Sequence, residues 1–370
     1  MVIQLARHLF PQLKARLMVT PRLNLLFTML LGFCASRAVS QENQSAVFSW
    51  RVSADPILSV DEMRLPESEH PWVSVKDPSI VRYNNDWHLF CSLRKDRQGD
   101  GRIRIGYLRF KEWTTAKDAD WTILELTTGY HGAPQVFYFE PHEKWYLVYQ
   151  AEDSSRGLKY GPCFSTNDDI TKPDDWTLPE PLYSVPEGTP AGLDYWVICD
   201  ATTAYLFYSS LDGRMWRAKT PIEKFPDQGW TKPVVALQAD IFEASHTYAI
   251  EGEQQFLTVV EAQGRGRRYY KAFMAESLEG EWKPIASSYD KPFASAQNII
   301  NQDESWTTSY SHGELIRVGY DQKLTIELDS LQFVFQGASD QEYAGQPYGQ
   351  IGWQLGILEA QSHPLENRDR

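Results

Sequence analysis

At 370 residues with 42% of them apolar, the chain can hold one large β domain or two ordinary ones, and its composition is that of a globular protein with a substantial core. Residues 1–41 hold five basic and no acidic residues, so the rest of the chain carries 31 basic against 49 acidic residues, a net of −18. An acidic body repels phosphate backbones and excludes nucleic acid as a partner, whereas a neutral polysaccharide is indifferent to that charge.

The amino-terminal stretch has the pattern of a targeting segment. Arg7, Lys14, Arg16 and Arg22 form a positive region ahead of the apolar run LLFTMLLGFC at 25–34, which is too short to span a bilayer. Small residues follow in ASRAVSQ, so residues 1–40 are expected to be a signal peptide, the protein secreted (extracellular or periplasmic), and a membrane role absent. Residues 41–70 are expected to be a lead-in segment, 71–360 one catalytic domain, and 361–370 a polar tail. Beyond Cys34, the remaining Cys91, Cys163 and Cys199 lie in apolar β-like segments, which suits buried free thiols.

Further along, the chain repeats a plan. NNDWHLFCS, HEKWYLVYQ, ATTAYLFYS and GEQQFLTVVEA each follow a turn with an apolar, aromatic-rich strand, and second strands such as RIRIGYLRF and RRYYKAFMAES come after most of them. An acid or Gly before Trp then recurs, at Trp121, Trp176, Trp230 and Trp282. Units of this kind near 72–125, 130–180, 190–235, 240–285 and 300–360 predict an all-β fold, a five-bladed β-propeller with a central active-site pocket. The abundance of rings, 13 Trp, 19 Tyr and 17 Phe, suits both pleated cores and the apolar faces of sugars.

Three acids fall near the starts of blades: Asp77 in KDPSIV, Asp194 in AGLDYWVICD and Glu243 in DIFEASHTY. The innermost strands of a propeller face one another, so acids there converge. Two facing carboxyl groups are what glycosidic cleavage needs, one ionised to activate water and one protonated to release the leaving oxygen. A third acid beside the proton donor would help keep it protonated by like-charge repulsion. Each acid alone also has a structural explanation, as a turn start, a turn cap or a strand-end charge.

The ordered motifs KDPSIV, APQVFYFEPHEKWYLVYQ, DYWVICD with YLFYSSLDG, IFEASHTY, and SHGELIR followed by DQKLTIELDSLQFVFQG resemble glycoside hydrolase family 62 over residues 73–358. The resemblance implies a five-bladed propeller and an α-L-arabinofuranosidase acting on arabinoxylan or arabinan, a polysaccharide partner, and a monomer. It implies that Asp77 is the general base, Glu243 the general acid and Asp194 the acid that orients the sugar and tunes the donor. Lys76 and Tyr343 would contact the arabinose, with Asn298 kept in the PFASAQN segment as a substrate-binding residue. His312 would accompany a structural calcium ion at the channel centre, with no cofactor required for the chemistry. The chain departs from the family pattern at Ala151, where a tryptophan is usual, at Ala344, where asparagine is usual, and at Ser295 and Ala296. Those losses leave open two alternatives: a related propeller hydrolase acting on a different pentoside, and a non-catalytic carbohydrate-binding propeller.

Overall fold

The computed structural model of the protein describes residues 47–65, 71–96 and 102–365; the expected signal peptide at residues 1–40 lies outside them. Five sheets stand around a common axis as a five-bladed β-propeller. The first blade comprises Trp72–Tyr83, Asp86–Lys95, Ile103–Phe110 and Trp121–Ile123, the second His131–Phe139, Lys144–Asp153, Leu158–Asn167 and Glu180–Pro181. The third is Leu193–Cys199, Thr203–Ser209, Arg214–Pro221 and Val234–Gln238. The fourth is Glu243–Ile250, Phe256–Gly264, Arg267–Ala275 and Lys283–Ala286, with the short strand Thr325–Ile326 added parallel to Glu243–Ile250. In each blade the first strand lies innermost, against its counterparts in the neighbouring blades.

The fifth blade is built from both ends of the chain. Ser311–Leu315, Gln332–Gly337 and Gln354–Ser362 supply three strands, and Ser49–Val52 pairs antiparallel with the last of them, Trp50 opposite Ala360. The lead-in segment expected at 41–70 therefore contributes a structural strand. Of the tail expected at 361–370, the described residues are packed into the fold: Ser362 pairs with Ser49 and Leu365 is buried in the core. Trp50 anchors this closure: it is fully buried, its ring meets Phe293 edge-on at 5.1 Å, and its Nε1 donates to the Phe293 carbonyl.

The recurrent tryptophans act as wedges between blades. Trp121 opens an outer strand, and Trp176, Trp230 and Trp282 come just before the outer strands of the next three blades. Trp176 packs edge-on against Phe90 of the first blade at 5.7 Å, and Trp282 against Phe207 of the third at 6.2 Å. Edge-to-face packing of this kind adds about 0.5–1.5 kcal/mol beyond area burial. Cys91, Cys163 and Cys199 are free and buried, as expected.

Two features of the inner strands position the site. Near its start, each of the first four carries a bulge in which two residues face one on the partner strand, with the first in the left-handed region: Asp77 (φ 51°), Ala133 (φ 51°), Asp194 (φ 55°) and Ala244 (φ 49°). The register also shifts at His312 in the fifth blade. A bulge re-aims its side chain and sharpens local twist. At the other end of the inner strands, the connection 316–327 runs beneath three blades. The backbone N–H groups of Tyr138, Cys199 and Glu251 donate to the carbonyls of Tyr320, Gln322 and Ile326, and the buried Arg317 guanidinium binds the carbonyls of Ile80 and Val136. The axis is thus crossed by chain at the tails of the strands, away from the bulges.

Candidate active site

The bulges bring Asp77 and Asp194 to one point on the axis, with the His312 imidazole between them. Its Nδ1 lies 3.4 Å from Asp77 Oδ1 and 3.7 Å from Asp194 Oδ2. Asp77 also contacts the Lys76 ammonium at 3.1 Å, and that ammonium reaches the Tyr348 hydroxyl at 3.2 Å. Asp194 Oδ2 accepts from the backbone N–H of Ala244 at 2.9 Å, which ties it to the residue following Glu243. Glu243 does not occupy the same register as the two aspartates. It precedes its bulge residue, pairing across its blade as Lys76 and Leu193 do in theirs. The acids therefore enter the site from two adjacent registers, not one.

Arg268 meets Glu243 from the third strand of the fourth blade. Its guanidinium lies 3.4 Å from Glu243 Oε1 and 2.9 Å from Oε1 of the fully buried Glu261, and its Nε donates to the Tyr343 hydroxyl at 3.2 Å. Tyr343 thus belongs to the site through Arg268. Tyr348, five residues on, is the tyrosine beside Lys76. Both lie in the connection between Gln332–Gly337 and Gln354–Ser362, which folds over the site through the short helix Asp340–Gly345.

The electrostatics differ among the acids. Burial opposes ionisation of Asp77, but Lys76 and His312 outweigh it, and the carboxyl is held below the usual aspartate range. Glu243 is pushed well above the usual glutamate range by burial and by the neighbouring Glu261 and Asp194 charges, only partly offset by Arg268. Burial also raises Asp194, with Asp77 adding to the shift and His312 opposing it. A carboxyl favoured as the anion and another favoured as the acid, both within electrostatic reach of Lys76, are the pair that acid–base chemistry at neutral pH requires. Beneath them His246 is stacked on Trp196 at 4.1 Å, donates from Nδ1 to the Gly313 carbonyl at 2.8 Å, and is held by burial well below the ordinary histidine range.

Asn298, expected as a substrate contact, is engaged within the protein. Its amide donates to the carbonyls of Phe48, Pro292 and Phe293, and its oxygen accepts from the Ser295 N–H, so the side chain fastens its own loop to the amino-terminal strand. Ala151 is fully buried, in one core cluster with Tyr149 and Cys163 between the first and second blades. Tyr160, half-exposed, has its hydroxyl within electrostatic reach of Asp194, Glu243 and Asp77, and its ring lies 5.8 Å from that of Tyr130. Sequence motifs did not single out Tyr160, Tyr348, Arg268 or Glu261, because strand position alone does not show which third-strand or loop residues lean over the axis.

His312 stands where the family resemblance implied a calcium ion, between Asp77 and Asp194. Calcium takes six to eight oxygen ligands. Among the described residues no group of three or more His, Cys, Asp or Glu side chains is arranged to hold a metal; His312 Nδ1 lies 3.4 and 3.7 Å from the two aspartates.

Comparison with known proteins agrees with this geometry. The profile of Glycosyl hydrolase family 62 matches residues 58–359. The chain is 36% identical over 294 residues to alpha-L-arabinofuranosidase C of Cellvibrio japonicus, covering 78% of this chain and 44% of that protein, so it spans less than half of that relative's length. Its fold superposes on the catalytic domain of a family 62 α-L-arabinofuranosidase from Coprinopsis cinerea with a TM-score of 0.76 at 34% identity, covering 85% of this chain and 98% of the other. An α-L-arabinofuranosidase from Podospora anserina, solved with cellotriose, gives a TM-score of 0.76 at 32% identity, covering 86% and 98%. The match extends across all five blades and includes the strands that carry Asp77, Asp194 and Glu243, and on it the chain belongs to glycosyl hydrolase family 62.

Proposed function

We propose that the protein is a secreted, monomeric α-L-arabinofuranosidase that removes arabinofuranosyl side chains from arabinoxylan or arabinan with inversion at the anomeric carbon. The observation that carries the reading is the opposite setting of two carboxyls in one cluster, Asp77 favoured as the anion and Glu243 as the acid. The substrate class rests on the arabinofuranosidase relatives, and secretion on the positive and apolar pattern of residues 1–40.

In the proposed reaction, water attacks the anomeric carbon while Asp77 takes its proton. The bond from that carbon to the polymer oxygen breaks, and Glu243 delivers its proton to the departing oxygen. Lys76 holds Asp77 ionised and, with Asp194 and the Tyr348 hydroxyl, offers charged and polar partners to the furanose hydroxyls. Tyr160, its hydroxyl within electrostatic reach of the acids, presents a ring for the sugar's apolar face. The test is arabinose release from arabinoxylan by the wild type and by Asp77→Asn and Glu243→Gln. The reading expects free arabinose from the wild type and none from either variant; a wild type that binds the polymer without releasing sugar would overturn it.

A further inference from the structure

Behind the reacting groups, a buried chain of hydrogen bonds runs from the base to the acid. The backbone N–H of Asp77 donates to Gln336 Oε1 at 2.9 Å, and Gln336 Nε2 donates to Ser311 Oγ at 3.1 Å. Ser311 Oγ donates to Glu261 Oε1 at 2.7 Å, and Arg268 bridges Glu261 to Glu243. Glu261 Oε2 also accepts from the backbone N–H of His312 at 3.0 Å, fixing the ring that separates the two aspartates. Gln336, Ser311 and Glu261 are each at most 1% exposed. Every donor and acceptor in the series has a partner of the right kind, which is the condition under which a buried polar network rigidifies its surroundings.

The same second-strand position performs the same task around the ring. Ser92 Oγ accepts from the Ala133 N–H at 2.7 Å and Gln150 Oε1 from the Asp194 N–H at 3.2 Å, each one blade ahead. In the third blade Ser209 instead meets Ser245 Oγ at 2.8 Å, and the Ala244 N–H is taken by Asp194 itself. A left-handed residue at a non-glycine position costs about 1–2 kcal/mol and persists only when its surroundings over-determine it. The acceptor from the preceding blade is what fixes it.

We propose that Gln336, Ser311 and Glu261 form a positioning strut that holds the general base and the general acid in register across the junction of the fourth, fifth and first blades. None of the three touches the reacting atoms; they act through Asp77, His312 and Arg268. The proposal rests on the hydrolase reading above. A displacement of about 1 Å at a reacting group can cost on the order of a hundredfold in rate, so cutting the strut should lower kcat while leaving sugar binding in place.

The test compares Gln336→Leu, Ser311→Ala and the double variant with wild type on an aryl α-L-arabinofuranoside, with thermal melts run alongside. The strut predicts kcat lowered about tenfold to a hundredfold in each single variant, with KM within about twofold. Because both changes break one link, the double variant should lose little more than the worse single one, instead of the product of the two losses. Ser311→Ala removes one hydroxyl and keeps the test open should Gln336→Leu fail to fold. Lowered melting temperature with kcat within twofold of wild type would show a structural role only and overturn the strut, as would multiplicative losses. If the wild type itself does not turn over the arabinofuranoside, the hydrolase reading fails and the strut falls with it.

Discussion

Asp77 and Glu243 are chemically similar side chains given opposite electrostatic settings by their neighbours. Lys76 and His312 hold the first as an anion; burial and two further carboxyls hold the second as an acid. The signs fix the pH dependence of kcat/KM: activity falls at low pH as Asp77 takes up a proton, and at high pH as Glu243 loses its own. Arg268 favours the Glu243 carboxylate, so Arg268→Gln is expected to move the high-pH limb upward, read from the pH profile. The same change leaves the buried Glu261 without its cation, and denaturant melts should show a loss of about 3–5 kcal/mol. Roles separate by leaving group. Asp77→Asn should lose about 10²–10⁴-fold on any substrate, whereas Glu243→Gln should lose most on arabinoxylan and least on an aryl glycoside whose phenolate needs no proton. Equal losses on both substrates in the Glu243 variant would count against its role as acid.

At the scale of the strand, the bulge is the device that builds the site. Asp77, Ala133, Asp194 and Ala244 repeat one left-handed conformation at the heads of four inner strands, and two of these positions became acids. Ala133 has the strain without the carboxyl, which makes it a clean probe. Ala133→Gly should raise stability by about 0.5–1 kcal/mol, the relief of strain exceeding glycine's entropic cost, and Ala133→Val should lower it. Thermal melts of the two variants decide the sign. The acids were legible in the sequence because each adjoins a run of strand-forming residues at the head of a repeat. The one-residue offset of Glu243 was not, since a bulge leaves no mark in an apolar strand pattern. Tyr348 was missed for a related reason: it lies in an irregular connection, where no periodicity says which of Tyr343 and Tyr348 meets Lys76.

For the whole molecule, closure of the ring depends on pairing the two ends of the described chain in one blade. The repeat of strand, turn and tryptophan disclosed five blades, but the outer strand of the fifth lies more than 300 residues from its partner, and short-range pattern cannot reveal such a pairing. Trp50→Ala should therefore destabilise the entire propeller by about 3–5 kcal/mol, seen as a single cooperative shift in a denaturant melt. Closure also sets the strands that carry the acids around one axis. On it rests the central claim: two carboxyls with opposite protonation act on opposite sides of one anomeric carbon. Proton NMR of the first turnovers on arabinoxylan tests it most directly. The account predicts that β-L-arabinofuranose appears first and then mutarotates; initial appearance of the α anomer would mean a carboxylate had attacked the sugar itself, and would contradict it.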